Sequence, residues 1–517
     1  MKTSMLHSSA ILMAATSLAG CNSTHAPGAA PTNASSAVDP GRDAAPPSIP
    51  SNALKSAASG DAVKTFYQRL GWHAVWSDAN AAALDKVLAA RQQNGLNHVD
   101  FGKIDAGGSP AAADVARTKA ALAYASALAN GVVDPAALHD VYTLPRPKTD
   151  IATGLAQALQ DGKIEGFFAG LVPQDQDYQR LSKAYVHYAT AQSDTSGAQI
   201  PDKAAIHIGD RDSRVVQIAS QLASNGYLPQ EAVPNESGGQ PAQYAQQLAV
   251  AVKHLQADYG IKTDGVIGSD TLAVINAGPN DKARQLAVAL ERRRWLTRNP
   301  PATRIDVNTA AATLSYFRDG KRVDERKVIV GEPGRETPLL LAPLYRLVAN
   351  PTWTVPKSIS VSAATIRADN MHRKNGFLVQ PSGPHNALGL VKFDLQDDQE
   401  IYLHDTDDRS LFGRTQRHLS HGCVRVDDAL GFAKMIAQQE GVEDKWQKAR
   451  KTGDETFVPL PKPIPVRLLY WNAFVDSGGD VVFRTDPYGW NDAVAKALGF
   501  SGTASRKAQA GAIDLGP

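Results

Sequence analysis

Apolar residues recur along this chain with two different periods, and the switch between them divides it. From Asp61 to about Tyr188 they fall at helical spacing. Leu84, Val87 and Leu88 form one stripe, and Leu122, Ala125, Leu128 and Ala129 another. Gly107-Gly108-Ser109-Pro110 and Leu144-Pro145-Arg146-Pro147 interrupt the pattern with residues that suit turns rather than helix interiors. Residues 206–277 repeat the helical period in shorter units. Val215, Ile218, Ala219 and Leu222 share a face that Asn225-Gly226-Tyr227 stops; Leu248, Val252, Leu255 and Tyr259 share another that Gly260 stops. Lys262 to Gly268 then reads as a turn before a third helix through Leu272 and Ile275. Asp281 to Trp295 predicts a linking helix, whose basic run Arg292-Arg293-Arg294 reads as a solvated or interface face.

After Asn299-Pro300-Pro301 the period falls to two. Ile305 and Val307 alternate, and Leu314–Phe317 meets Lys321–Val323 across Asp319-Gly320, a hairpin signal. Val328–Val330, Tyr345–Val348, Val391–Phe393 and Ile401–Leu403 predict further strands from their β-branched and aromatic content. Asp427 to Gln439 predicts one amphipathic helix. Pro465–Tyr470 and Asp480–Phe483 flank Ser477-Gly478-Gly479 as a second hairpin. The fold class expected is multidomain α+β, helical first and mostly β with minor helix afterwards. The aromatics Phe66, Tyr67, Trp72 and Trp76 read as core.

Composition changes this picture little. The chain has 517 residues, 43% hydrophobic and 21% charged, long enough for several globular domains. A net charge of +2 points to no nucleic-acid partner. The N-terminus adds more. Residues 1–20 read as a signal peptide: Lys2 is the positive start, and the apolar run from Ala10 to Ala15 is too short to span a bilayer. Leu18-Ala19-Gly20-Cys21 resembles a bacterial lipobox, which makes Cys21 a lipidation site and the membrane a partner; an incidental cysteine is the alternative. Asn22 is not the Asp that retains many lipoproteins in the inner membrane, so the outer membrane is favoured. Residues 21–59 are rich in Ala, Pro, Ser, Gly and Thr and read as a flexible tether, and residues 501–517 as a disordered tail.

Of the two cysteines, lipidation consumes Cys21, so Cys423 remains as one free thiol and a candidate nucleophile. A thiol attacks a carbonyl as its thiolate. A neighbouring His can take the proton and return it to the leaving amine. His404 ends one predicted strand and Cys423 opens the next, which can put the two side chains within hydrogen-bond reach. Gly422 frees the backbone so that nearby N–H groups can face an oxyanion. Arg425, two residues on, shares a strand face with Cys423 and can hold loop carbonyls or a substrate carboxylate. Two other readings stand beside this one: Cys423 as a buried small hydrophobe, and His418, His421 and Cys423 as zinc ligands that lack a fourth partner.

Ser420-His421-Gly422-Cys423-Val424-Arg425, with Tyr402-Leu403-His404-Asp405-Thr406 upstream, resembles the signature of L,D-transpeptidase (YkuD-type) catalytic domains. Asn350 to Pro356, Gly383 to Gly389, Val391-Lys392-Phe393 and Ser410-Leu411-Phe412 are similar to the long, Gram-negative, crosslinking branch. The resemblance implies a β-sandwich catalytic domain over residues 300–500, with Cys423 as nucleophile and His404 as proton donor and acceptor. It puts His421 and Ser420 in the motif, His421 as a loop-structuring hydrogen bonder, and Trp353, Tyr402 and Asn386 along the substrate cleft or in a structural role. It implies no metal and no organic cofactor. Leu171-Val172-Pro173 with Tyr178 resembles part of the helical scaffold domain, assigned to 60–205. The Asp264-Gly265-Val266-Ile267-Gly268 turn resembles three-helix peptidoglycan-binding modules, assigned to 206–280, with the linking helix at 281–299. The implied partners are peptidoglycan stem peptides and glycan strands, and a wall-synthesis partner that supplies them. The expected reaction transfers a stem peptide from a Cys423 thioester to a diaminopimelate amine, giving 3→3 crosslinks. Water, a D-amino acid or a lipoprotein Lys could resolve the same thioester, and a non-catalytic wall-binding lipoprotein is the reading from another class. One departure stands out: only 357–382 is present where the long members carry a larger capping segment, so a more open site is expected.

Overall fold

A computed structural model describes residues 45–104, 108–190, 199–235, 240–357 and 359–501. The signal peptide, the lipobox with Cys21, most of the expected tether and the tail beyond Ser501 lie outside them. The tether expected to reach residue 59 ends sooner. Ser51–Ala57 is a helix that buries Leu54 fully, packed on the Pro110–Asn130 helix. One apolar side chain at the right place anchors a segment whose average composition reads as linker.

The helical region forms as its periodicity predicts. Ser77 and Ser109 cap two of its helices, their hydroxyls accepting from Asn80 N–H and Ala112 N–H. The three-helix module comprises Val215–Ser224, Gln246–Asp258 and Ser269–Ile275.

The linking helix, Pro279–Arg294, is the least exposed of all. Leu286, Ala287, Val288, Ala289 and Leu290 cover every side of it, and all are buried. Lys282, Arg284, Gln285, Glu291, Arg292 and Arg294 are buried with them, so the helix is enclosed along most of its length. It packs between the Gln176–Thr190 helix and the Asn491–Ala497 helix. Its basic run is therefore an interface, and the solvated alternative is wrong. Arg294 pairs with the fully buried Glu291 at 2.7 Å. Arg292 donates to Asn472 Oδ1 and Asn491 Oδ1 at 3.0 and 2.6 Å. Arg293 meets Asp175 and Asp177 at 3.1 and 3.0 Å. A single apolar core runs from Leu54 through this helix to Leu498.

Strands follow. They are β1 (Arg304–Asn308), β2 (Thr313–Arg318), β3 (Lys321–Gly331), β4 (Leu341–Ala349), β5 (Trp353–Thr354), β6 (His372–Lys374) and β7 (Phe377–Gln380). Next come β8 (Val391–Leu395), β9 (Leu403–His404), β10 (His418–Ser420), β11 (Val424–Val426), β12 (Thr456–Leu469), β13 (Ala473–Val475) and β14 (Val481–Phe483). The large sheet runs β10-β3-β11-β9-β8-β4-β12-β1-β2, and β2 also pairs with β3. The expected sandwich is thus a closed one, with long β3 passing from β2 to β11 and sealing the edge. Phe432, Ile436 and Trp446, from the helices Ala429–Gln439 and Glu443–Lys451, fill the same core as Phe393 and Leu403.

Two strand expectations are corrected. Val328–Val330 is the end of β3, not a separate strand. The second hairpin is β13 with β14; Pro465–Leu469 belongs instead to β12, between β1 and β4. The nearer apolar run, Ala473–Val475, reaches its partner through a shorter turn. The capping segment is a small sheet of β5, β7 and β6 with the Ala363–Ala368 helix, built on Trp353, Val355, Met371 and Leu388.

Candidate active site

Three short sequences read polar–apolar–polar: Lys392-Phe393-Asp394, Tyr402-Leu403-His404 and Cys423-Val424-Arg425. Strands β8, β9 and β11 set them side by side. Phe393 and Leu403 are register partners, as are Leu403 and Val424, and all three point into the core. Alternation then puts the other members on the opposite face. There Lys392 pairs with His404, and His404 with Arg425, in one row across the sheet. Asp394, Tyr402 and Cys423 lie one step along. The alternating pattern and the strand register together bring the chemistry to one face.

A cavity of about 730 Å³ covers this face, lined by Cys423, His421, Tyr402, Trp353 and Lys392, with Pro356, Ile359 and Phe377 from the cap. Trp353 also belongs to the cap's core. Asn386 is not among the lining residues. Its side chain donates to Pro381 O at 2.9 Å and accepts from Leu388 N–H at 2.8 Å, so it shapes its own loop and does not line the cleft. Arg425, 1% exposed, and His404, fully buried, lie beneath the cavity wall and are not among its lining residues.

The turn before Cys423 is held from both ends. The Ser420 hydroxyl donates to Cys423 O at 2.6 Å and accepts from Gly422 N–H at 3.2 Å. Thr337 Oγ1, from 85 residues away, donates to Gly422 O at 2.8 Å. Gly422 has φ +120°, which a side chain would make costly. Its N–H is engaged by Ser420, so of the N–H groups near Cys423 this one already has an acceptor. Thr337 carries no local motif and was not among the sequence candidates.

The electrostatics of the pair are uneven. Burial pushes the Cys423 thiol up to about 11, while the backbone and hydroxyl of Tyr402 favour the thiolate. Cys423 Sγ donates to Glu400 O at 3.9 Å. His404 is fully buried, and burial holds it well below the ordinary histidine range. The charges of Arg425 and Lys392 push the same way, against the Asp405 backbone. Neither ring nitrogen of His404 makes a hydrogen bond among the described residues. A Cys423–His404 hydrogen bond is therefore not formed in this state. Register explains it: His404 lies opposite Arg425, so Cys423, two residues earlier, is its diagonal neighbour. The Tyr402 ring stands edge-on to His404 with centroids 5.6 Å apart. Lys392 Nζ lies 4.3 Å from the Tyr402 ring centre and 2.7 Å from Asp394, which Arg346 also meets at 2.5 Å. His418 turns away to donate to Thr309 O at 2.9 Å, and among the described residues no group of three or more His, Cys, Asp or Glu is placed to hold a metal.

Known proteins align with this architecture. Residues 302–457 match the L,D-transpeptidase catalytic domain (YkuD) model, so the chain carries a catalytic domain of that class. Residues 61–185 match the scaffold domain model and 211–275 the model described as "Putative peptidoglycan binding domain", giving a helical region with scaffold and peptidoglycan-binding domains ahead of it. A Haemophilus influenzae protein named "Putative L,D-transpeptidase" is 30% identical over 221 residues, covering 36% of this chain and 44% of the relative. The chain thus spans less than half the length of that relative. Among solved structures, an L,D-transpeptidase from Stackebrandtia nassauensis is 14% identical with a TM-score of 0.22, covering 53% of this chain and 97% of its own. One from Xylanimonas cellulosilytica is 17% identical with a TM-score of 0.18, covering 52% and 98%. At such scores these superpositions carry no argument.

Proposed function

We propose that the chain is a peptidoglycan L,D-transpeptidase, with Cys423 as nucleophile and His404 as the group that takes and returns the proton. The observation that supports it most is the placement of Cys423 on the cavity wall, one register step from a buried, neutral imidazole. Cys423 attacks the carbonyl that joins meso-diaminopimelate to the terminal D-Ala of a tetrapeptide stem. A thiol near 11 loses its proton as the sulfur–carbon bond forms, not before. An imidazolium between Lys392 and Arg425 is costly, so His404 passes its proton on quickly to the departing D-Ala amine. The thioester is then resolved by the side-chain amine of a neighbouring stem, giving a 3→3 crosslink.

The cavity walls suit such a peptide. Arg346 and Lys392, both paired with Asp394, line it together with Asp397, Glu400 and Glu455. Diaminopimelate brings a carboxylate and an ammonium together, and the cavity carries charges of both signs. Backbone donors on the developing oxyanion would contribute about 3 kcal/mol each. The peptidoglycan-binding module would hold glycan strands, and Cys21 would anchor the chain by lipid to the outer membrane. Among the described residues no helix is long and apolar enough to cross a membrane.

The test is intact-protein mass spectrometry with a purified disaccharide-tetrapeptide, comparing the chain with Cys423→Ala. A Cys423-dependent acyl adduct and a diaminopimelate–diaminopimelate dimer are expected. An adduct that yields only tripeptide would move the enzyme to hydrolysis. A folded chain with neither adduct nor product would sink the reading. Metabolic labelling with a fatty acid should mark the chain and fail on Cys21→Ser.

A further inference from the structure

A second cavity, of about 310 Å³, lies where the three-helix module meets the catalytic domain. The module contributes Tyr259 to Ile261 and Thr263, and the catalytic domain the stretches around Ala311, Arg414 and Arg484. Gln416 Nε2 ties the two together, donating to Gly260 O at 3.2 Å. Four basic side chains line it: Lys327, Arg414, Arg417 and Arg484. No acidic side chain does.

No carboxylate on the cavity wall pairs with this charge. Arg417 and Arg484 are half-buried. Their guanidinium groups are held only by backbone carbonyls: Val328 O at 3.1 Å and Ala312 O at 3.0 Å for Arg417, and Phe483 O at 2.7 Å and Asp258 O for Arg484. Neither makes an ion pair among the described residues. Their mutual repulsion, together with burial, lowers the Arg417 pKa. Asp258, Asp427 and Asp476 lie near enough to favour these charges, but none of them lines the cavity. Like charges out of water without a counter-ion are unfavourable, and a bound anion would relieve them. Lys327 and Arg414 are exposed and form the rim.

Place and charge point to the same ligand. One wall of the cavity is Tyr259 to Thr263, within the stretch that matches the peptidoglycan-binding model, and the stem peptide of peptidoglycan carries carboxylates that basic side chains can meet.

We propose that this cavity is a second binding site, taking the carboxylate-bearing peptide stem of peptidoglycan, and the proposal rests on the reading of the chain as a peptidoglycan enzyme. The site is separate from Cys423, and its wall leads into the active-site turn, since Arg417 immediately precedes β10, which runs from His418 to Ser420. A stem held here belongs to wall that is being gripped, not to wall that is being cut.

The test is isothermal titration of the full chain carrying Cys21→Ser and Cys423→Ala with the soluble tripeptide L-Ala-γ-D-Glu-meso-diaminopimelate, and separately with inorganic phosphate. Saturable tripeptide binding is expected, weakened at least tenfold in Lys327→Gln/Arg414→Gln with an unchanged melting temperature. Arg417→Lys, which keeps the charge and loses the carbonyl grip, checks the floor independently and should also weaken binding. No saturable tripeptide binding, or binding the rim variant leaves intact, overturns the site. Phosphate binding as tightly as the tripeptide overturns the peptide assignment. Acyl transfer is read separately on a Cys423 enzyme, so a chain that crosslinks but fails this titration loses the second site alone.

Discussion

His404 and Lys392 are direct register partners across β9 and β8, with Arg425 on the other side of the imidazole. A buried ring between two cations stays neutral to unusually low pH. The group proposed to take the thiol proton is therefore neutral well below the ordinary histidine range. Acylation of Cys423 should show no acid limb near 6.5; the limb should lie well below it, where His404 protonates. Lys392→Met removes one cation, raises the His404 pKa and moves the limb upward. Acylation rates between pH 4.5 and 8, followed by mass spectrometry, check both statements, and a wild-type limb at 6.5 would refute them.

Tyr402 offers its hydroxyl to the Cys423 sulfur, where it favours the thiolate. A hydrogen bond to a charged acceptor is worth about 1.5–3 kcal/mol. Tyr402→Phe should slow iodoacetamide alkylation of Cys423 roughly 10- to 100-fold by that scale. Measured on a Cys21→Ser background, the rate should fall while the melting temperature holds.

Two other histidines tie stability to pH. Burial lowers His139 and His418 to about 4, from an ordinary value near 6.5, with Arg292 adding to the effect at His139 and Arg417 at His418. Below 6.5 the unfolded chain binds protons that the native chain refuses. The stabilisation is thus present above 6.5 and is lost as the pH falls towards 4. Each residue should cost roughly 2 kcal/mol between pH 7 and pH 5. Urea melts at the two pH values should show the drop, and His139→Phe, which keeps the ring packing against Trp490, should remove its share.

Glu291 is the acceptor at the heart of the linking helix. Oε1 receives Val132 N–H, Val133 N–H and Trp295 Nε1 at 2.6, 2.9 and 3.0 Å, and Oε2 receives Arg294. Glu291→Ala leaves Arg294 buried and unpaired, which costs about 3–5 kcal/mol. The scaffold should loosen first, so limited proteolysis should cut between residues 131 and 147 before it touches the catalytic domain.

Local patterns were readable where the partners lie close in sequence. The β2–β3 hairpin forms around Asp319 and Gly320, with φ of +51° and +79° that their residue types tolerate. The candidate pair was legible because Cys423 is the thiol left once Cys21 is set aside, and because Ser420-His421-Gly422-Cys423 and Tyr402-Leu403-His404 resemble a known signature. What escaped is set by distant residues. Nothing near Arg292 announces Asn472 and Asn491, so a basic triplet allowed a solvated face that the fold does not provide. Nothing near Cys423 announces Thr337, or says which strand will lie beside β9. The missing Cys423–His404 contact has the same origin. Strand ends can be read from sequence, but a diagonal offset appears only once the register is fixed.

The apolar core that begins at Leu54 is completed by Val494, Ala495 and Leu498, and the Phe500 ring closes against His98 with centroids 4.7 Å apart. The scaffold is thus first off the ribosome and last to close. Its helices can form early, but their shared interior waits for residues made after the whole catalytic domain. A chain interrupted at Trp490 would carry every residue of the candidate active site and still lack the wedge that holds the linking helix. Truncation there strips the Asn491–Ala497 helix from the linking helix, so apolar surface that the full chain buries would face solvent in the scaffold.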